Sequence, residues 1–351
     1  MYVLIGILLL GILIAVHEFG HFIAARICGI EVMEFAIGMG PKIFGWTGKS
    51  GTKFSLRCIP LGGFCAFYGE DDVEGKSKDD PRAYGKQNVW KRIFTVAMGP
   101  MMNFVLALVV AIAVYAFMAM PLYEPVITEI VAGAPAAEAG LLPGDVITMV
   151  DGVNVLDGTT NTLSAAIGNI DGVQEHHLTV RRGEETFEAF ASTYWDEAEG
   201  KYRIGITFTG QVIGSVRLSF GEAVAEGWGY CVDAGSMVFT ALKGLLTDPA
   251  IRDQVAGPVG TVQVVSQAVK QDGAIAFFSL LVMISVNLGI MNLLPIPGLD
   301  GSRIVFHLIE AVRGKPIKPE REAMVHLIGM LFLFSLMIFF TYKDIVRIFF
   351  N

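Results

Sequence analysis

Four apolar runs, each near the length of a bilayer-crossing helix, constrain this chain more than any other feature. About 20 apolar residues of helix cross the hydrocarbon core, and residues 2–25, 93–120, 274–294 and 324–340 each supply a run of that order. The second contains no charged residue, and the first is interrupted only by His17, Glu18 and His21. With 53% hydrophobic and 17% charged residues and a mean hydropathy of +0.55, the whole is too apolar for a soluble domain of this size. The first run lacks a basic leader and a small-residue cleavage site, so it reads as a retained span rather than a signal peptide.

The loops orient the spans. Residues 26–92 carry eleven Lys or Arg, and Arg303, Arg313, Lys315, Lys318 and Arg321 lie between the third and fourth runs. Residues 121–210 hold fourteen Asp or Glu against four Lys or Arg. Basic loops stay in the cytoplasm. The acidic segment and both termini are therefore expected outside. A net charge of −8 argues against nucleic acid as a partner. Cys28, Cys58, Cys65 and Cys231 form neither a CxxC pair nor a disulfide framework and read as small apolar fillers.

The acidic segment has the pattern of a small α+β domain. Residues 126–131, 146–150 and 178–180 read as strands and 159–170 as a short helix. Ala139-Gly140-Leu141-Leu142-Pro143-Gly144-Asp145-Val146-Ile147, followed by Val150-Asp151-Gly152, resembles the signature of PDZ domains. That resemblance implies a peptide-docking or substrate-filtering role through strand addition. Residues 220–246 have helical character interrupted by Glu222, Glu226 and Asp233, and are expected to form a helix lying on the membrane surface.

His17-Glu18-Phe19-Gly20-His21 carries the chemistry. Helix positions i and i+4 share a face, so both imidazoles can reach one zinc ion, with Glu18 placed to deprotonate a water on it. Ionisable groups inside an apolar span cost about 2.5–3.5 kcal/mol for an acid at the bilayer centre and mark function. Catalytic zinc usually takes three protein ligands, and the candidate third is Asp300, in Asn292-Leu293-Leu294-Pro295-Ile296-Pro297-Gly298-Leu299-Asp300-Gly301. There the prolines and glycines break a helix near a membrane boundary, which is tolerated where protein or a water-filled cavity surrounds the backbone. A loop Asp at the end of a span remains the plain alternative for that segment alone. Asn103 and Asn292 are either helix-packing groups or, with Pro295 and Pro297, substrate-positioning ones. Residues 54–67 alternate like a hairpin beside the first span. His176, His177, His307 and His326 lack metal spacing.

These motifs, with Gly99-Pro100-Met101-Met102-Asn103, Ile37-Gly38-Met39-Gly40-Pro41, Pro60-Leu61-Gly62-Gly63-Phe64 and Gly257-Pro258-Val259-Gly260, resemble the site-2 protease family over nearly the whole chain and in the same order. The arrangement is similar to the bacterial branch with an inserted PDZ domain, whose members cut membrane-bound anti-sigma factors after a first cleavage outside. The resemblance implies one Zn2+ held by His17, His21 and Asp300, with Glu18 as general base. It also implies a membrane-dipping β-hairpin and a transmembrane protein substrate already cut by another protease. Two departures are visible: a single PDZ-like unit where some relatives have two, and Ser302 where some have a second glycine.

The expected fold is a mainly α-helical polytopic membrane protein with four transmembrane helices and an inserted α+β PDZ-like domain, in the bacterial inner membrane and its lipid bilayer. Residues 1–120 and 274–351 form the membrane halves, 121–210 the PDZ-like domain and 211–273 an extracytoplasmic connector. The rival readings are a non-catalytic PDZ scaffold and a membrane zinc protease that cuts soluble loops.

Overall fold

The computed structural model describes residues 2–70, 80–156, 161–168, 172–197, 200–247, 257–315, 317 and 319–350. The chain divides into two units, one of residues 1–114 and 224–351, the other of residues 115–223.

In the first unit, helix α1 (Tyr2–Cys28) leads into a long β-hairpin, β1 (Val32–Thr47) and β2 (Lys53–Phe67). Helices α2 (Val89–Phe117), α5 (Phe220–Thr247), α6 (Pro258–Leu293), α7 (Asp300–Arg313) and α8 (Pro319–Phe350) follow. Among the described residues, four helical segments are long and apolar enough to cross a membrane: Val3–Cys28, Val89–Phe117, Gly273–Leu293 and Glu320–Ile348. They coincide with the four apolar runs. Helix α6 is bent at Gly273, whose φ of 65° is outside the helical region, and only its second half qualifies as a span.

Leu9 and Leu13 of α1 are fully buried against Val265 and Leu281 of α6, with Leu106 and Val110 of α2 packed alongside. At the far end of α1 the chain leaves in a Schellman turn. Gly29 has φ 79°, its N–H reaches the Arg26 carbonyl, and the Ile30 N–H reaches that of Ala25. This stop aims the chain into the hairpin.

The 54–67 run is not a hairpin by itself; it is the second strand, and its partner is β1. Both strands fold over, with φ of 86° and 82° at Gly38 and Gly40, so four segments lie side by side. Residues 63–67 pair with 32–37, those pair again with 53–56, and 53–57 pair with 42–47. An alternating pattern reports a strand but not which strand it meets. Phe22 of α1 anchors the sheet, its ring 5.8 Å from both Phe35 and Phe54.

Helix α5 is not among the four candidate spans. Its Ala234, with Tyr230 and Cys231, packs on Ala107 and Ala111 of α2 and on Val282 and Val286 of α6. Small residues permit this. A Cβ on Gly227 would come within 2.9 Å of the Ile112 backbone nitrogen, the close approach that small residues allow between membrane helices.

The second unit carries the sheet order β10-β3-β4-β6-β7, from β3 (Met120–Ile130), β4 (Val146–Val150), β6 (Glu175–Arg182), β7 (Glu185–Ser192) and β10 (Ile206–Val216). The short strand β5 (Val153–Asn154) pairs with β4 across Asp151-Gly152, where φ is 51° and 80°. Two consecutive positive φ values make a type I′ turn. The Asp151 carboxylate supports it by accepting from His177 N–H and meeting His176 Nδ1 at 2.7 Å. Helices α3 (Pro135–Glu138) and α4 (Asn161–Gly168) complete the unit, and β8 (Tyr194–Asp196) pairs with β9 (Lys201–Arg203). The expected strands and helix are present, although residues 159, 160, 169 and 170 lie outside the described set. The Gly-Asp motif feeds Leu141, Ile147 and Val150 into the core of this unit.

Asp145 is 1% exposed, accepts the Leu142 N–H, and is forked by the Arg182 guanidinium at 2.7 and 2.8 Å. Burial pushes its pKa up, but the Arg182 and Leu142 bonds outweigh this and hold the carboxyl below the usual range. Asp145→Ala should therefore destabilise this unit by about 1–3 kcal/mol, read from denaturant unfolding of the full chain followed by a probe in the unit. The wild-type contribution should be complete above about pH 4, the unfolded value, and fade as pH falls through the lower folded value.

Candidate metal centre

Helix α1 presents His17 and His21 one turn apart, and α7 opens on Asp300. The three meet. His17 Nε2 lies 3.1 Å and His21 Nε2 3.3 Å from Asp300 Oδ2, and the two nitrogens are 3.2 Å apart. Atoms bound at about 2.0–2.1 Å to a tetrahedral zinc stand roughly 3.3–3.4 Å from one another. The observed edges fit such an ion, and so does the donor set of two imidazoles and a carboxylate. Asp300 Oδ2 is buried, faces the two imidazoles and takes no well-directed hydrogen bond. Among the described residues this is the one group of three or more His, Cys, Asp or Glu arranged for a metal; His176, His177, His307 and His326 stand apart from it.

Neighbouring residues orient the imidazoles. His21 Nδ1–H donates to the Thr95 carbonyl at 3.0 Å, which leaves Nε2 as the lone-pair atom. Asn103 Nδ2 lies 3.2 Å from His17 Nδ1. Asn103 is fully buried, and its backbone carbonyl accepts the Ser285 hydroxyl at 2.7 Å. Were the side-chain amide turned over, its oxygen would accept Nδ1–H and free His17 Nε2 in turn.

Glycines let these elements close on one another. A Cβ on Gly20 would stand 2.1 Å from the Met98 carbonyl oxygen, and one on Gly99 2.2 Å from His21 Nε2. Gly63 of β2 lies against Glu18, whose Cγ would be 3.0 Å from an added Cβ. The edge segment 63–67 of the hairpin therefore passes beside Glu18.

The Pro-Gly loop supplies the third group. Helix α6 ends at Leu293, Pro295 and Pro297 keep the following chain non-helical, and Gly298 has φ 98°. The Gly298 N–H reaches His326 Nδ1 at 3.3 Å, and Gly329 of α8 sits so close that an added Cβ would stand 2.1 Å from the Pro297 carbonyl oxygen. Of the other substrate-positioning candidates, Asn103 joins the cluster through His17, Asn292 is half-buried in the last turn of α6, and Pro295 and Pro297 shape the loop. Sequence reasoning missed Thr95, Gly99, Ser285 and Gly329. Only Gly99, in the Gly99-Pro100 step inside an apolar span, left a visible mark.

Comparison with known proteins agrees with this geometry. The profile of Peptidase family M50 matches residues 5–336. The chain is 34% identical over 362 residues to an Agrobacterium fabrum protein named as a candidate zinc metalloprotease, covering 98% of this chain and 95% of that one. It is 32% identical over 420 residues to the Bacillus subtilis regulator of sigma-W protease RasP, covering 98% of each. To the zinc metalloprotease RasP of Oceanobacillus iheyensis it is 31% identical, again over 98% of each. The chain belongs to peptidase family M50, the site-2 proteases, and is a membrane-embedded zinc metalloprotease.

Proposed function

We propose that this enzyme carries out regulated intramembrane proteolysis, cutting single-span proteins such as anti-sigma factors or remnant signal peptides within the bilayer after another protease has removed their outer part. The observation that carries the reading is the meeting of His17 Nε2, His21 Nε2 and Asp300 Oδ2 inside the apolar helices, with Glu18 beside a strand edge. The first unit's metal centre and the name of the Bacillus relative, a regulator of sigma-W protease, both support it.

In this reading His17, His21 and Asp300 hold the zinc. Zinc bound there supplies Lewis acidity to a peptide carbonyl and to water near neutral pH. Glu18 takes the proton of the attacking water and passes it to the amine nitrogen as the C–N bond breaks. Asn103 holds the His17 ring. The segment 63–67, which has β1 as its strand partner among the described residues, offers backbone groups to an unwound substrate by strand addition. Pro295, Pro297 and Asn292 take the substrate-positioning role in this reading. A helical peptide bond is shielded by its own hydrogen bonds, so pairing with an edge gives the opened substrate an alternative partner.

The charge pattern supports an orientation with the 121–210 domain and both termini outside, in the inner membrane of a bacterium. The metal ligands of α1 lie toward its inner end, so cleavage should fall on the cytoplasmic side and release a cytoplasmic domain. The second unit, which we read as PDZ-like from its Gly-Asp motif and the edges of its sheet, serves substrate docking or filtering.

Purified wild type and Glu18→Gln should contain equal zinc, with the variant cleaving a single-span substrate about 10²–10⁴-fold more slowly. Equal cleavage by both would remove Glu18 as the base. Faster cleavage of unstructured soluble peptides than of the single-span substrate would point instead to a protease of soluble loops. Asn103→Ala should weaken zinc binding about 10–100-fold, measured by competition with a chelator; unchanged affinity would leave Asn103 a packing residue.

A further inference from the structure

Helix α7 carries more polar groups on one face than the metal requires. Asp300, Arg303, His307 and Glu310 recur at intervals of three, four and three, which places them along one side of a helix. Asp300 meets the histidines. The other three each take a partner from the stretch that runs from the end of the hairpin into the first turn of α2. Arg303 pairs with Glu70, His307 Nε2 lies 2.8 Å from the Tyr84 hydroxyl, and Glu310 accepts from Arg92 at 2.5 Å. Tyr84, His307 and Arg92 are each less than 9% exposed, so the Tyr84–His307 and Arg92–Glu310 bonds are shielded from water. Burial first, then the Arg92 charge, holds the His307 pKa down at about 4. The ring is thus neutral near pH 7, and Nε2 accepts from Tyr84.

The partners are themselves fixed. The Tyr84 ring stacks on Phe67, centroids 5.3 Å apart, and its N–H reaches the Tyr68 carbonyl. The Tyr68 N–H reaches Glu31, and the Glu31 N–H reaches Arg82. The ladder therefore connects α7 to the base of the hairpin, where α1 has just ended.

We propose that Arg303, His307 and Glu310, with Glu70, Tyr84 and Arg92, form a positioning ladder that sets the roll and height of α7 and so places the Asp300 carboxylate at the zinc. The ladder residues lie outside the His17, His21 and Asp300 cluster, and the inference rests on the ligand assignment above. The apolar contact of α7 in this region, Ile304 against the cluster around Val32 and Tyr84, is non-directional and tolerates roll. A roll of about 10° moves an atom roughly 5 Å from the helix axis by roughly 0.9 Å. Metal–ligand distances tolerate only about 0.2 Å. Directional bonds at three successive levels remove that freedom, and the Pro-Gly loop preceding Asp300 cannot, since it holds the helix at one end alone.

The test compares zinc affinity, by chelator competition, with the melting temperature of the metal-free protein. Tyr84→Phe removes one hydroxyl and keeps the ring stack; Glu70→Gln removes one charge. Each should weaken zinc binding about 10-fold while the metal-free melting temperature stays at the wild-type value. Combining Glu70→Arg with Arg303→Glu should recover affinity lost in either single variant. Unchanged zinc affinity in both Tyr84→Phe and Glu70→Gln, or a loss matched by a lower metal-free melting temperature that the exchange does not restore, would overturn the ladder. Asp300→Ala is the reference: if it binds zinc like wild type, the ligand assignment itself falls, and the ladder with it. Should the Arg303 variants not fold, Tyr84→Phe decides the matter alone.

Discussion

Everything in the first unit is arranged around the cost of placing two imidazoles and two carboxylates among apolar helices. An uncompensated charge in such a setting is expensive, so each group needs a partner that the lipid cannot provide. A shared cation would satisfy His17, His21 and Asp300 together, which is the role proposed for them. That assignment also bears on the architecture. Two of the proposed ligands come from one helix and the third from another roughly 280 residues on in sequence, so the first span and the last loop must meet before the site exists. The glycines at 20, 63 and 99 let α1 be approached on more than one side without moving the imidazoles.

The parts legible in the sequence are those with a periodic or compositional signature. His17 and His21 are readable because four residues make about one helical turn, and the spans because so long an apolar run is seldom stable anywhere but in a bilayer. Asp300 is readable as a candidate from the proline-broken loop before it, and family resemblance is what singles it out. What escapes notice depends on approach in space. Thr95 acts through a backbone carbonyl, which has no residue-type signal. Ser285 looks like any small polar residue in a span. The partner of 54–67 is hidden because β1 contains Gly38, Gly40 and Pro41, which read as a loop; the structure uses the glycines for the fold-over. The packing of helix α5 on α2 and α6 is hidden because it depends on small side chains that leave backbone room.

The second unit shows the opposite balance. Three of its strands and one of its helices follow local rules that sequence expresses directly, and β3, β4, β6 and α4 fall where those rules put them, while β5, β7, β8, β9, β10 and α3 are not among the expected elements. The turn at Asp151 also assigns His176 a structural partner, which accounts for a buried histidine outside the metal centre.

Helix α8 holds both ends of α6. Near its start, Gly329 bears on Pro297, just beyond the last residue of α6, and near its end Asp344, 1% exposed, accepts the Gly260 N–H at 2.7 Å in the first turn of α6. The Gly257-Pro258-Val259-Gly260 motif is what makes the second contact possible, since a Cβ on Gly260 would stand 2.6 Å from that carboxylate. Between these two attachments the outer span is almost wholly unburied. The bend at Gly273 is what lets positions 329 and 344 of one helix meet both ends of the 36-residue α6: at about 1.5 Å per residue a straight α6 would far outreach the stretch of α8 between them.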